Sequence, residues 1–290
     1  MSLPLIDILI PAELAGERLD RAIAHLVPRV SRMEARRMIA GGSVFVDQRR
    51  TRIASRPLRA GQRLVCHRLV AAPAGGPAPR VVYRGDGVLV VDKPAGVAVE
   101  ATRAGDAATV ARWLADAGDP AFITHRLDAS VSGALVVATT AAAQSALNRL
   151  FAVHAVERRY LAAVAPAPAW DEKTIDRPLD GQPARTRARV VARAAGAALL
   201  EIALDTGRFR QIRRHLAAEG APVAGDRDQP NAAPAARTLL HAYEVVFTLA
   251  GQAVDVQVPP GDDFRAATDA LGLGQAAGSE NLFSSVRAPA

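Results

Sequence analysis

Cysteine occurs once in this chain, as Cys66. A lone thiol excludes an internal disulfide and fits a reducing compartment, so a cytoplasmic location is expected. Long apolar runs are also missing. Stretches such as 194–200 are short and alanine-rich, well under the roughly 20 residues that a bilayer span needs, and no membrane span is expected. The start of the chain carries Asp7 and lacks both a basic opening and a small-residue cleavage site, so it does not read as a signal peptide. No phosphate-binding glycine loop or dinucleotide fingerprint is present, and no cofactor is implied. His125, His154, His215 and His241 do not pair at the spacing of a zinc helix, and Cys66 has no partner, so no metal is expected.

Lysine is nearly absent, with only Lys93 and Lys173, and the net charge of +7 is therefore carried by arginine. Residues 1–70 hold 13 arginines against 6 acids, which equals the charge of the whole chain and leaves residues 71–290 formally neutral. Guanidinium groups bind phosphate in a fork and stack on bases, which points to nucleic acid. A solvated basic surface accounts for the charge equally well when charge is taken alone. A chain of 290 residues that is half apolar suggests roughly two domains.

Leu19, Ile23, Leu26 and Val27 recur at helical spacing after Arg18, and Pro28 closes that helix. Ser31 with Glu34 three residues on forms a capping box for a second helix, which Gly41-Gly42 ends. Val44 and Val46 alternate with Phe45 and Asp47 in a short strand, and Arg49 to Arg52 make a basic turn. Arg18-Leu19-Asp20, Ser31-Arg32, Ile39, Gly42 and Val44-Phe45-Val46-Asp47 together resemble the S4 RNA-binding domain. That resemblance implies that Arg32, Arg36, Arg37, Arg49 and Arg50 sit on RNA phosphates.

The stretch 70–79 is rich in Pro, Gly and Ala and lacks apolar bulk, as a linker does. Beyond it Asp86-Gly87 separates two strand patterns, a hairpin signal. Residues 109–117 and 141–153 read as helices, and 160–164 and 199–204 as strands. The expected fold is α+β, with a mixed, largely antiparallel sheet in the larger domain and a small N-terminal α/β domain. The expected division is 1–70 for the RNA-binding domain, 71–80 for the linker, 81–266 for the catalytic domain and 267–290 for a disordered tail.

Four segments carry the chemistry. They are Val91-Asp92-Lys93-Pro94-Ala95-Gly96, His125-Arg126-Leu127-Asp128 running to Gly133, Glu157-Arg158-Arg159-Tyr160, and Thr206-Gly207-Arg208-Phe209-Arg210-Gln211-Ile212-Arg213-Arg214-His215. In this order they resemble the RluA-type pseudouridine synthases, which isomerise uridine in RNA and commonly carry an S4 domain in front. The resemblance implies that Asp128 is the catalytic aspartate, Tyr160 the active-site tyrosine and Arg213 the arginine that pairs with the aspartate. Arg126 matches the arginine that holds the target nucleotide out of its helix. His125, Arg208, Gln211 and Lys93 are further candidates for substrate binding.

The residue types suit those roles. Moving the glycosidic bond of uridine from nitrogen to carbon requires the base to detach, turn and rejoin, which an anionic carboxylate assists as nucleophile or as oxyanion-side stabiliser. An arginine within about 4 to 6 Å favours the carboxylate's charged form. Tyrosine, one of three in the chain, offers a ring face to the detached uracil and a hydroxyl for proton transfer. Uridine inside a stem must be extruded to reach a pocket, at a cost of a few kcal/mol. The expected partner is structured RNA, ribosomal RNA first, bound by a monomer.

Three positions depart from the family pattern. Val131 stands where threonine is usual, Arg210 where histidine is usual, and Arg227-Asp228-Gln229-Pro230 replaces a segment with tyrosine and glycine. Arg210 brings its segment closer to the sister RsuA-type synthases. Taken singly, Asp128 reads as a turn cap, Tyr160 as core and Arg213 as a surface charge. The alternative function is a non-catalytic RNA-binding or ribosome-assembly protein on the same scaffold.

Overall fold

Local signals set the start of the second helix in the N-terminal unit. In the computed structural model, which describes residues 4–68, 78–101 and 109–274, the Ser31 hydroxyl accepts from the Glu34 N–H at 3.1 Å. This N-cap starts α2 (Arg32–Ala40), which follows α1 (Leu19–Leu26). The two helices cover a four-stranded sheet of order β1-β4-β2-β3, made of β1 (Ile6–Leu9), β2 (Val44–Val46), β3 (Arg49–Arg50) and β4 (Arg63–Cys66). Leu19, Ile23, Ala35, Met38 and Ile39 pack on Val44, Val46 and Leu64 in one core, where full burial of each large side chain is worth about 1.5–3 kcal/mol. Cys66 lies in that core, and burial pushes its thiol up to about 12, so it behaves as a small apolar residue.

The chain divides into two compact units, Met1–Gly76 with Val97–Asp119, and Pro77–Gly96 with Pro120–Ala290. The segment Val97–Asp119 therefore groups with the N-terminal unit and interrupts the continuous stretch 81–266 expected from sequence. It ties to itself through a bridge between Ala98 and Thr109 and a helix, α3 (Val110–Asp116), capped by Thr109. Residues 71–77 of the expected linker lie outside the described residues.

The second unit is built on a ten-stranded sheet. Its elements are β5 (Arg80–Gly85), β6 (Val88–Lys93), β7 (Phe122–Ile123), β8 (Ser132–Ala138), α4 (Ala141–Ala152), β9 (Glu157–Val164), β10 (Glu172–Asp176), β11 (Arg185–Ala194), β12 (Ala197–Leu204), α5 (Gln211–Ala218), β13 (Leu240–Leu249), β14 (Gln252–Gln257) and α6 (Asp262–Ala270). The main path runs β10-β11-β12-β9-β13-β8-β6-β5, with β14 on β13 and β7 on β8. Every pairing is antiparallel except that of β13 with β8, so the fold is the expected mixed α+β arrangement. Asp86 (φ 44°) and Gly87 (φ 75°) turn the β5–β6 hairpin, both residues taking the positive φ that a two-residue turn of this hand needs.

Strands β6 and β8 are buried along almost their whole length, so their sequences read as continuous apolar runs instead of alternating ones. The crossing of β8 with β13 depends on Gly133: its φ is +109°, and a Cβ there would lie 2.0 Å from the Ala242 carbonyl oxygen. The expected tail is corrected. Helix α6 continues to Ala270, and Phe264 and Leu273 are fully buried with Leu161, Leu199 and Tyr243. Two apolar anchors in an otherwise small and polar stretch are enough to dock it. Residues 275–290 lie outside the described residues. No helix among the described residues is long and apolar enough to cross a membrane.

Candidate active site

Asp128 stands in the loop between β7 and β8, and the backbone fixes that loop at several points. The Val131 N–H donates to the Asp128 carbonyl at 3.0 Å, and the Gly96 N–H donates to the Ala129 carbonyl at 2.7 Å. Lys93, fully buried at the end of β6, adds donations to the carbonyls of Pro94 at 2.9 Å and Ala129 at 3.3 Å. His125 Nε2 accepts from the Val136 N–H at 2.9 Å, and its ring lies 4.8 Å from that of Phe151. Burial, with Arg158 adding, pushes His125 down to about 3, so it is a neutral acceptor that anchors the loop to β8.

Arg213, in the first turn of α5, is the centre of the charge network. Its Nη1 donates to Asp128 Oδ2 at 2.8 Å, and its Nε donates to Asp226 Oδ2 at 2.8 Å. Its Nη2 also bonds Asp226 and Asp228. Burial opposes the charge on Arg213, but its hydrogen bonds to Asp226 and Asp128 outweigh it and the net shift is upward. Asp226 reaches this position because Gly225 (φ +73°) precedes it, where a Cβ would lie 1.9 Å from the Arg237 carbonyl oxygen. Arg210 Nη1 pairs with Asp228 at 2.9 Å, and Arg210 Nε lies 3.7 Å from Asp128 Oδ2.

Tyr160 is buried on β9, between Ile202 of β12 and Ala242 of β13. Burial raises its hydroxyl above the usual range, with Arg158 opposing and Asp128 reinforcing, so it is a neutral phenol at pH 7. Asp128, Tyr160, Arg213, Arg126, His125, Arg208 and Gln211 all line one cleft of about 570 Å³. Lys93 does not line it; its ammonium is used on the loop behind. Gln211 lines the cleft but spends its amide on the protein, donating to the Arg185 carbonyl and the Thr186 hydroxyl, both at 2.9 Å, and accepting from Thr206 at 2.8 Å and the Arg208 N–H at 3.0 Å. It shapes the 206–208 turn. Arg208 donates to the Pro183 carbonyl at 3.0 Å. Arg126 is exposed, with no hydrogen bond or ion pair among the described residues.

The cleft thus brings together a carboxylate held by a buried guanidinium, a neutral phenol and an exposed arginine. A family model described as RNA pseudouridylate synthase matches residues 87–218, and the S4 domain model matches residues 17–64. The large-subunit ribosomal pseudouridine synthase D of Nitrosomonas europaea is 31% identical over 307 residues, covering 92% of this chain and 88% of the relative. The chain belongs to the RluA-type RNA pseudouridine synthases. Another relative of the same name, from Xanthomonas campestris, is 34% identical over 75% of this chain and 72% of its own length. The solved structure of human RNA pseudouridylate synthase domain containing 4 shares the fold, with a TM-score of 0.57 at 19% identity over 66% of this chain and 92% of that one.

In the synthase's S4 domain the arginines expected on RNA divide into two groups. Arg32 and Arg36 donate through Nε to Asp20 Oδ2 at 3.1 and 2.8 Å, with Arg18 on the same carboxylate at 3.1 Å. These bonds, led by that from Arg18 and opposed by burial, hold the Asp20 carboxyl well below the usual range. Arg50 bonds the Gly42 carbonyl and covers the Phe45 ring at 4.9 Å. Arg37 pairs only loosely with Glu34 at 3.6 Å and is 64% exposed, and Arg49 is exposed.

Sequence reasoning missed Asp226, Asp228 and Arg158 as parts of the site. The Gly225-Asp226 pair was visible, but its partner was not. Arg158 lies two residues before Tyr160, which places both on one face of β9. That spacing was the available signal, and the Arg158 Nε is buried without a hydrogen-bond partner among the described residues.

Proposed function

We propose that this synthase isomerises a uridine of ribosomal RNA to pseudouridine, with Asp128 as the nucleophile and the target nucleotide extruded from its helix. The observation that carries the reading is the 2.8 Å bond from Arg213 to Asp128 in the cleft that Tyr160 also lines. The ribosomal target is supported by the names of the relatives, which modify the large subunit, and by the S4 domain.

In this scheme the bond from the sugar C1′ to uracil N1 breaks, the base turns, and a bond from C1′ to C5 forms. The C5 hydrogen leaves as a proton and N1 takes one up, so the reaction needs no oxidant or reductant. Asp128 supplies the nucleophile, whose bond to the nucleotide is made and then broken again within the cycle so that the carboxylate is regenerated, and Arg213 fixes its oxygen and charge. Tyr160 presents a ring face to the detached base and a protonated hydroxyl for proton movement at C5. Arg126, exposed and without a hydrogen bond or ion pair among the described residues, is available to hold the extruded nucleotide, repaying the few kcal/mol of unstacking.

Pseudouridine mapping of ribosomal RNA from a strain lacking the gene tests the reading. One site is expected to disappear and to return with the wild-type gene. An unchanged map across ribosomal and transfer RNA contradicts it.

A further inference from the structure

The cleft shares a wall with a second, smaller cavity. Phe209, Arg210 and Arg213 line both, and the second cavity, of about 310 Å³, is completed by Asp180, Arg214, Asp228 and Gln229. Phe209 is 58% exposed, and it is the only aromatic among the large apolar side chains left exposed in the described residues. The Arg210 guanidinium lies 4.8 Å from its ring centroid. Arg210 itself takes a left-handed conformation, φ 51° and ψ 33°, at the head of α5, which is uncommon for a residue with a long side chain.

Each guanidinium lining this cavity already holds a carboxylate, that of Arg213 bonding Asp226. Arg214 grips Asp180 with both terminal nitrogens, at 2.8 and 2.9 Å, and Arg210 Nη1 pairs with Asp228 at 2.9 Å. A phosphate entering here would face two carboxylates. A nucleobase fits better: it has a flat face for Phe209 and hydrogen-bonding edges for the carboxylates, the guanidinium groups and the Gln229 amide.

Resting on the pseudouridine synthase reading above, we infer that this cavity is a second nucleobase subsite, which takes the base adjoining the target uridine and stacks it on Phe209. Because the two cavities share one wall, two successive nucleotides occupy them. Asp180 and Asp228 accept hydrogen bonds from exocyclic amino groups, so the subsite favours adenine, guanine or cytosine over uracil. Phe209 and Asp228 thereby set sequence context in this chain, at positions where the expected family pattern differs around them.

Oligoribonucleotides with a single uridine and 2-aminopurine on its 5′ or 3′ side test this directly, because the fluorophore is quenched on stacking. At concentrations that saturate binding by anisotropy, the full-length wild type and Asp128→Asn are expected to quench one of the two placements. Phe209→Ala abolishes that quenching and Phe209→Trp retains it. In tritium release from RNA labelled at uracil C5 and taken from the deletion strain, Phe209→Ala raises KM about 5- to 150-fold, the range of one lost base–aromatic stack, and leaves kcat in place. Equal quenching by wild type and Phe209→Ala, or none at either placement, overturns the subsite. Quenching without tritium release contradicts the synthase reading and leaves the subsite standing.

Discussion

Replacing Arg213 by methionine removes one guanidinium from three carboxylates, and their exposure decides the cost of each loss. Asp226 is fully buried and bound through two nitrogens of Arg213, whereas the side chains of Asp128 and Asp228 are 27% and 48% exposed. Breaking a buried pair from one side costs about 3–5 kcal/mol, because the remaining charge keeps neither its counter-charge nor solvent. The exposed pair with Asp228 adds at most about 1 kcal/mol. Most of the expected loss of about 3–5 kcal/mol therefore sits on Asp226. Adding Asp226→Asn removes the stranded charge and retains an oxygen for the Asp228 N–H, now 3.0 Å away, so the double variant recovers much of the stability. Activity does not return, because Asp128 still lacks its donor. Urea unfolding and tritium release on wild type, Arg213→Met and Arg213→Met/Asp226→Asn separate the two roles. A single variant destabilised by less than about 1 kcal/mol, or a double variant that regains activity, refutes the reasoning.

Burial pushes the Lys93 ammonium down to about 7 from 10.5, with Arg237 adding. Between those values the unfolded chain holds a proton that the folded chain has released, so stability rises with pH there and the cost of the buried charge is complete below pH 7. Lys93→Met is expected to be stabilising at pH 6, with an advantage that shrinks towards pH 10; urea midpoints whose difference is independent of pH contradict this. On the S4 domain, Arg37→Gln and Arg49→Gln should each lower the salt slope of RNA affinity by about one without changing stability. Arg32→Gln should in addition destabilise the fold by taking a donor from Asp20. Anisotropy titrations between about 50 and 200 mM salt check both, and unchanged slopes count against phosphate contact.

Sequence alone specified features whose physics is local. The Ser31 cap and the Asp86-Gly87 turn depend on neighbours within a few residues, and each is where the pattern put it. The placement of Arg32 and Arg36 on one helix face was equally legible from their spacing of four. What that face meets was not, because Asp20 comes from the preceding helix and becomes a shared acceptor only when α1 and α2 pack. The same holds for Arg213. Its pairing with Asp128 followed from family resemblance, while its stronger hold on Asp226 arises from a loop that Gly225 bends towards α5. Strand β1 was not anticipated, since its partner β4 lies more than fifty residues away, from Ile6 to Cys66. Lys93 and Gln211 carry polar groups suited to a substrate, yet both use them on backbone carbonyls, a distinction that spacing does not encode.

The most direct test of the central claim is tritium release from carbon-5 of uracil, using 5-tritiated RNA from a strain that lacks the gene. Wild type is expected to release tritium, while Asp128→Asn binds the same RNA with unchanged affinity and releases none. Release by Asp128→Asn at the wild-type rate would contradict Asp128 as the nucleophile, and no release by wild type from ribosomal or transfer RNA would contradict the proposed reaction itself.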